Sequence, residues 1–133
     1  KNFNRNFINY INLKDDDFLN KKTINLIKYY KQFSKKDSCI LNISYDDAMP
    51  YLFKTRSCTK YWSGWLASPT KTQKDYIAQI KKSNPKYILY ESNQETYFEG
   101  LRIYERIKLI NSYIFSNYKK HDEFDGYIVL KKI

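Results

Sequence analysis

The chain has 133 residues, 42% of them hydrophobic and 29% charged, with only three Gly and three Pro, which excludes a low-complexity or disordered tail and fits one compact domain. Its formal charge of +10 comes from 24 Lys and Arg against 14 Asp and Glu, but only four of the cations are Arg, so the excess lacks the planar groups that read phosphates and bases in pairs. No apolar stretch approaches the ~20 residues of a membrane-spanning helix, and the opening KNFNRNFINYINLKDDD lacks the apolar core of a signal peptide.

The chain opens on Lys1 instead of Met and is read as a piece of something longer. Residues 1–16, polar and Asn-rich, form an extended lead-in to a single α/β domain over 17–133. From Asp17 to Ser34, Leu19, Thr23, Leu26, Tyr30 and Phe33 recur at helical spacing, with Asp15, Asp16 and Asp17 placed to suit a helix N-terminus. The β-rich run Cys39–Ile43 reads as a buried strand, and Asp46–Phe53 as one or two helical turns, with Pro50 in the first. Residues 55–69 carry both Trp, a Gly and a Pro with no clean period, an irregular connection with an edge strand around Tyr61.

Thr70 or Thr72 caps a helix that buries Tyr76, Ile77 and Ile80, carries Lys81 and Lys82 at its negative end and stops at Ser83-Asn84-Pro85. Tyr87–Tyr90 is a second strand. After a polar loop over Glu91–Glu95, a long helix spans Tyr97–Tyr118 on the spacing of Ile103, Ile107, Ile110 and Ile114, with Leu101, Tyr104 and Phe115 widening its stripe. His121 falls in a charged loop, and Asp125-Gly126 turns the chain into a last strand, Tyr127–Leu130. The expected fold is a small layered α/β domain whose three- to four-stranded, largely parallel sheet is flanked by helices.

Catalytic signatures are absent: there is no Gly-rich phosphate loop, HExxH, GxSxG or EF-hand loop, and no cofactor motif. With two Cys and one His the metal-ligand spacings are missing too. Cys39 and Cys58 are joined in an oxidising compartment, where closing their loop is worth ~3 kcal/mol, or remain two partly buried thiols. Adjacent acids, Asp46/Asp47 and Asp122/Glu123, read as capping or solvated groups. The stretch that carries recognition chemistry is Arg56-Ser57-Cys58-Thr59-Lys60-Tyr61-Trp62-Ser63-Gly64-Trp65, where aromatic faces stack on sugars or bases and neighbouring cations take hydroxyls or phosphates. Arg56, Lys60, Tyr61, Trp62 and Trp65 are the candidate binding residues; the competing role for the two Trp is to close the core or lie at a membrane interface.

The serial order of CILNI, a short helix with YLF, RSCTKYW, a helix, PKYILY, a helix ending YIFSNY, and FDGYIVLKK resembles the soluble C-terminal domain of bacterial multi-pass membrane glycosyltransferases of the protein mannosyltransferase and aminoarabinose transferase type. The resemblance runs from Ser38 to Lys132. It implies a non-catalytic extracytoplasmic domain of an integral membrane enzyme that uses a polyprenyl-phosphate-linked sugar, its catalytic acid lying in a membrane loop outside this chain. Cys58 stands where that family often has Pro. The partners implied are the membrane-embedded remainder of the protein, an acceptor glycan or protein, and anionic lipid headgroups. The alternative is a free-standing basic module that binds nucleic acid, whose affinity would fall steeply with salt.

Overall fold

The structure is a computed structural model and describes residues 12, 14, 17, 19–35, 38–44, 46–91, 97–98 and 100–133. The helix α1 (Lys21–Ser34) is started by Asn20, whose side chain accepts from the Thr23 backbone N–H at 2.8 Å. The expected start at Asp17 is corrected by that cap: the first turn holds no acid, and Asp17 accepts from the backbone N–H of Lys14 at 2.7 Å instead. Asp15, Asp16 and, apart from 12 and 14, the expected lead-in over 1–16 lie outside the described residues.

Strand β1 (Leu41–Ile43) is followed by α2 (Met49–Leu52) with Pro50 in its first turn, as the sequence predicts. The irregular connection after it contains a 3-10 turn at Gly64–Ala67. The edge strand expected around Tyr61 does not form; the connection touches the sheet edge through a single parallel bridge between Ile40 and Ser57, four residues before Tyr61. Helix α3 (Thr70–Ser83) follows, then β2 (Tyr87–Glu91). Neither Thr70 nor Thr72 caps α3; Pro69 holds the cap position, its fixed φ starting the helix without a side-chain bond. Asn84, left-handed at φ 50°, ends α3 as expected ahead of Pro85.

The long helix expected over Tyr97–Tyr118 is broken up. Gly100, at φ 76°, turns a short hairpin of β3 (Tyr97–Phe98) and β4 (Leu101–Arg102), a backbone conformation open to glycine and costly for other residues. One turn, α4 (Ile103–Arg106), precedes α5 (Lys108–Asn117), with Ile107 between them off helical geometry. Ile107, Ile110 and Ile114 are buried as their spacing requires, whereas Leu101, Tyr104 and Phe115, expected to widen the stripe, are exposed.

The charged loop around His121 is strand β5 (Tyr118–Phe124), joined by Asp125-Gly126 to β6 (Tyr127–Lys132). This corrects the sheet: its order is β1-β2-β6-β5, with β1 parallel to β2 but β6 antiparallel to both β2 and β5. The fold is α/β with helices flanking a four-stranded sheet, and the sheet is mixed instead of largely parallel. The reason is β5 itself. A helix running straight into β6 would deliver it parallel to β2, whereas an inserted strand followed by a two-residue turn reverses its direction. Both turn residues have positive φ, 50° and 85°, as that hairpin demands.

Side chains alternate across the sheet with the strand period of two. Leu41, Ile43, Ile88, Tyr90 and Leu130 pack against Tyr76 and Ile80 of α3 and Ile110 and Ile114 of α5. On the opposite face Ile40, Tyr87, Leu89 and Val129 meet Leu26, Tyr30 and Phe33 of α1 and Met49 of α2. No helix of the described residues is long and apolar enough to cross a membrane.

Candidate functional site

The irregular connection is held to the sheet edge by short-range fastenings. Cys39 and Cys58 form a disulfide, deciding between the two states the sequence leaves open. Beside it, the Ile40 N–H donates to the Arg56 carbonyl at 2.9 Å, and the Cys58 N–H to the Ile40 carbonyl at 2.8 Å. The Thr59 hydroxyl donates to the Tyr61 carbonyl at 2.6 Å, and the Ser57 hydroxyl to the same oxygen at 3.3 Å. At the far end the amide of Gln73 donates to the carbonyls of Ser68 (2.7 Å) and Arg106 (2.9 Å) and accepts from the Leu109 N–H (2.9 Å), so one buried side chain ties the connection, α3 and α5 together.

Helix α3 supplies the rest. Asp75 and Gln79, one turn apart, face the connection. The Lys60 ammonium pairs with Asp75 at 2.8 Å, the Tyr61 hydroxyl donates to the same carboxylate oxygen at 2.8 Å, and the Lys60 N–H donates to the Gln79 amide oxygen at 2.7 Å. These bonds act on protonation in a consistent sense. The hydrogen bonds from Lys60 and then Tyr61 hold the Asp75 carboxyl below its usual range, and Asp75 raises both Lys60 and Tyr61. The Tyr61 ring stacks on Tyr76, centroids 5.6 Å apart, with the Lys60 ammonium 5.2 Å from the Tyr61 centroid on a cation–π contact.

Around this scaffold lies a cleft of about 430 Å³, walled by the disulfide, by Arg56 and Lys60 of the connection and by Gln79 and Lys82 of α3. Of the five residues singled out in the sequence, Arg56 and Lys60 line the cleft. Tyr61 is half-buried between Asp75 and Tyr76. Trp62 stands 60% exposed, while Trp65 packs against the core on the α3 and α5 face. The two Trp therefore occupy different environments three residues apart.

Sequence reading missed Asp75, Gln79 and Lys82 as site residues. The signal was present as a polar stripe at i, i+4 and i+7 of α3, beside the apolar positions Tyr76 and Ile80, but such a stripe has the same pattern when it faces only solvent. Among the described residues no three His, Cys, Asp or Glu side chains gather as a metal site. His121 sits on exposed β5, its ring 5.7 Å from those of Phe33 and Tyr87.

No known protein-family model matches the chain, and no curated protein matches it in sequence. Among solved structures it is similar to the C-terminal globular domain of an oligosaccharyltransferase from Archaeoglobus fulgidus, with a TM-score of 0.48 and 8% identity over 86% of this chain and 99% of that one. At that identity and score the likeness transfers neither fold nor function.

Proposed function

We propose that the chain is a non-catalytic, extracytoplasmic domain of a membrane glycosyltransferase that uses a polyprenyl-phosphate-linked sugar, and that it positions an acceptor glycan or protein. The observation that carries this reading is the disulfide-fastened loop, which holds Trp62 exposed on the same segment as the cationic residues Arg56 and Lys60. A disulfide of this kind persists in oxidising compartments, in keeping with an extracytoplasmic location. An exposed Trp on a rigid loop offers the flat apolar face that sugar rings stack on, and its indole has no share in the core. The serial order of motifs from Ser38 to Lys132 supports the same assignment.

Titration of the chain with neutral oligosaccharides, followed by Trp fluorescence and by the backbone amide resonances of residues 56–65, tests the acceptor role. Saturable shifts that vanish in Trp62→Ala are expected. Shifts absent from this loop, or unchanged in Trp62→Ala, overturn it. Oligonucleotide titrated at two salt concentrations separates the alternative: binding that collapses as salt rises would make the chain a nucleic-acid module. Compartment reporters fused behind Lys132 in the complete protein test the location, and a cytoplasmic signal would overturn it.

A further inference from the structure

The cleft beside the disulfide has an electrostatic character that the aromatic loop does not explain. Three cations, Arg56, Lys60 and Lys82, line it, and among the described residues no carboxylate does; Asp75, the acid that reaches this wall among them, is spent on Lys60 and Tyr61. The neutral polar groups of the wall are committed internally. The Ser57 and Thr59 hydroxyls donate to the Tyr61 carbonyl and the Ser83 hydroxyl to the Gln79 carbonyl at 2.9 Å. The Gln79 amide accepts from Lys60 and donates to Asp75 at 2.9 Å. Arg56 uses its Nε to hold the Ser38 carbonyl at 3.2 Å, which fixes the guanidinium while leaving its terminal nitrogens uncommitted among the described residues. Lys82 has no acidic partner among them either; its neighbour Lys81 has a cation–π contact, its ammonium 5.5 Å from the Tyr113 ring centroid.

One effect opposes an anion here. The C-terminal end of α3 carries roughly half a negative charge, but that is smaller than the two positive charges left after Asp75 offsets Lys60. The volume, about 430 Å³, falls within the roughly 300–1,000 Å³ of small-molecule sites and exceeds what a bare ion needs. We propose that this cleft binds an oxyanion carried on a sugar, a phosphate or a carboxylate, with the Arg56 guanidinium as its oriented donor and Lys82 as the facing charge. Arg suits this role because its fork meets two oxygens at once, and a guanidinium already held at Nε loses little freedom in doing so. The anion is read from the cleft alone, the sugar that carries it rests on the proposed function, and together they go beyond the acceptor role of the aromatic loop.

The test is a ¹H–¹⁵N titration of the chain with inorganic phosphate, glucose 1-phosphate, glucuronate and glucose. Saturable shifts of Arg56, Lys60 and Lys82 with at least one of the two anionic sugars, and none with glucose, are expected. Stronger binding of glucose 1-phosphate identifies phosphate as the group, and stronger binding of glucuronate a carboxylated sugar. Lys82→Gln, at an exposed position, and Arg56→Gln should each weaken binding about tenfold, the loss of one charge-assisted contact, without altering the fold. Equal shifts with glucose, shifts with inorganic phosphate but neither anionic sugar, no shifts with any probe, or unchanged affinity in Lys82→Gln overturn the proposal. Trp62→Ala should leave oxyanion affinity intact, so failure of the stacking role and failure of the cleft are read separately; parallel loss of both would overturn an independent anion site.

Discussion

The connection over residues 55–69 lies at the β1 edge of the sheet and the β5–β6 hairpin forms the opposite edge, and the two are held by different means. In the hairpin the backbone satisfies itself through paired strands from Tyr118 opposite Lys132 to Phe124 opposite Tyr127. The side chains of β5 are then largely charged and solvated, with the stacking of Phe124 on Tyr29 of α1, 4.6 Å between centroids, as an apolar anchor, while Val129 and Leu130 of β6 enter the core. The connection has one isolated bridge to the sheet. It is ordered by a covalent link and by side chains of α3 that reach across to it, of which Gln79 also walls the cleft. A regular ladder leaves a surface with little shape, whereas an irregular segment fixed from outside creates concavity and displays groups such as Trp62.

The largest effect should come from removing the disulfide. Cys39→Ser with Cys58→Ser is expected to cost ~3 kcal/mol, the chain-entropy value for a loop of this length, measured by denaturant unfolding. Amide exchange should speed up over residues 55–65 and hardly change in β5 and β6; uniform acceleration would erase the distinction between the two regions. Gln73→Ala comes next. It strands two carbonyls and one N–H in the interior, a loss of about 2 kcal/mol in the same measurement, and a change under ~0.5 kcal/mol would show that the amide is not the tie.

On the hairpin side, Gly126→Ala forces a Cβ into a left-handed position and should cost about 1 kcal/mol while leaving the cleft residues' resonances in place. The Asp75 network sharpens the comparison through pH. Its carboxyl titrates below the unfolded value, so its contribution is complete above the ordinary carboxylate range and disappears as pH falls through the lowered folded-state pKa. Asp75→Asn lacks that contribution, so the stability gap between the two proteins should close on acidification; a gap constant in pH would assign the loss to geometry alone. Smallest of all, Trp62→Ala should shift stability by less than about 0.5 kcal/mol, as expected for an exposed side chain.

Much of the scaffold was legible in the chain. The helical spacing of Leu26, Tyr30 and Phe33, and of Tyr76 and Ile80, marks buried faces that need no knowledge of their partners, and the short apolar runs around Leu41 and Ile88 fit interior strands better than helices. Strand β5 was illegible for a physical reason. An edge strand with solvent on most of its side chains carries no apolar alternation, and its charges protect an open edge instead of marking a core. That omission alone made the sheet look parallel. Likewise Gly100 and Ile107 interrupt a helical apolar period that continues through them, because period reports which face is buried and not whether the backbone between is unbroken.

For the site, sequence pointed to the stretch from Arg56 to Trp65, since Trp, Tyr, Arg and Lys in close order are recognisable by type. It could not separate Trp62 from Trp65, nor choose between thiols and a disulfide, nor bring Asp75, Gln79 and Lys82 to the loop. Local propensity and burial depend on neighbours within a few residues, and the chain states those by itself. A cleft depends on which distant backbones lie a few ångströms apart, and only packing of α3 against a fastened loop, 14 (Tyr61 to Asp75) to 26 (Arg56 to Lys82) residues away along the chain, decides that.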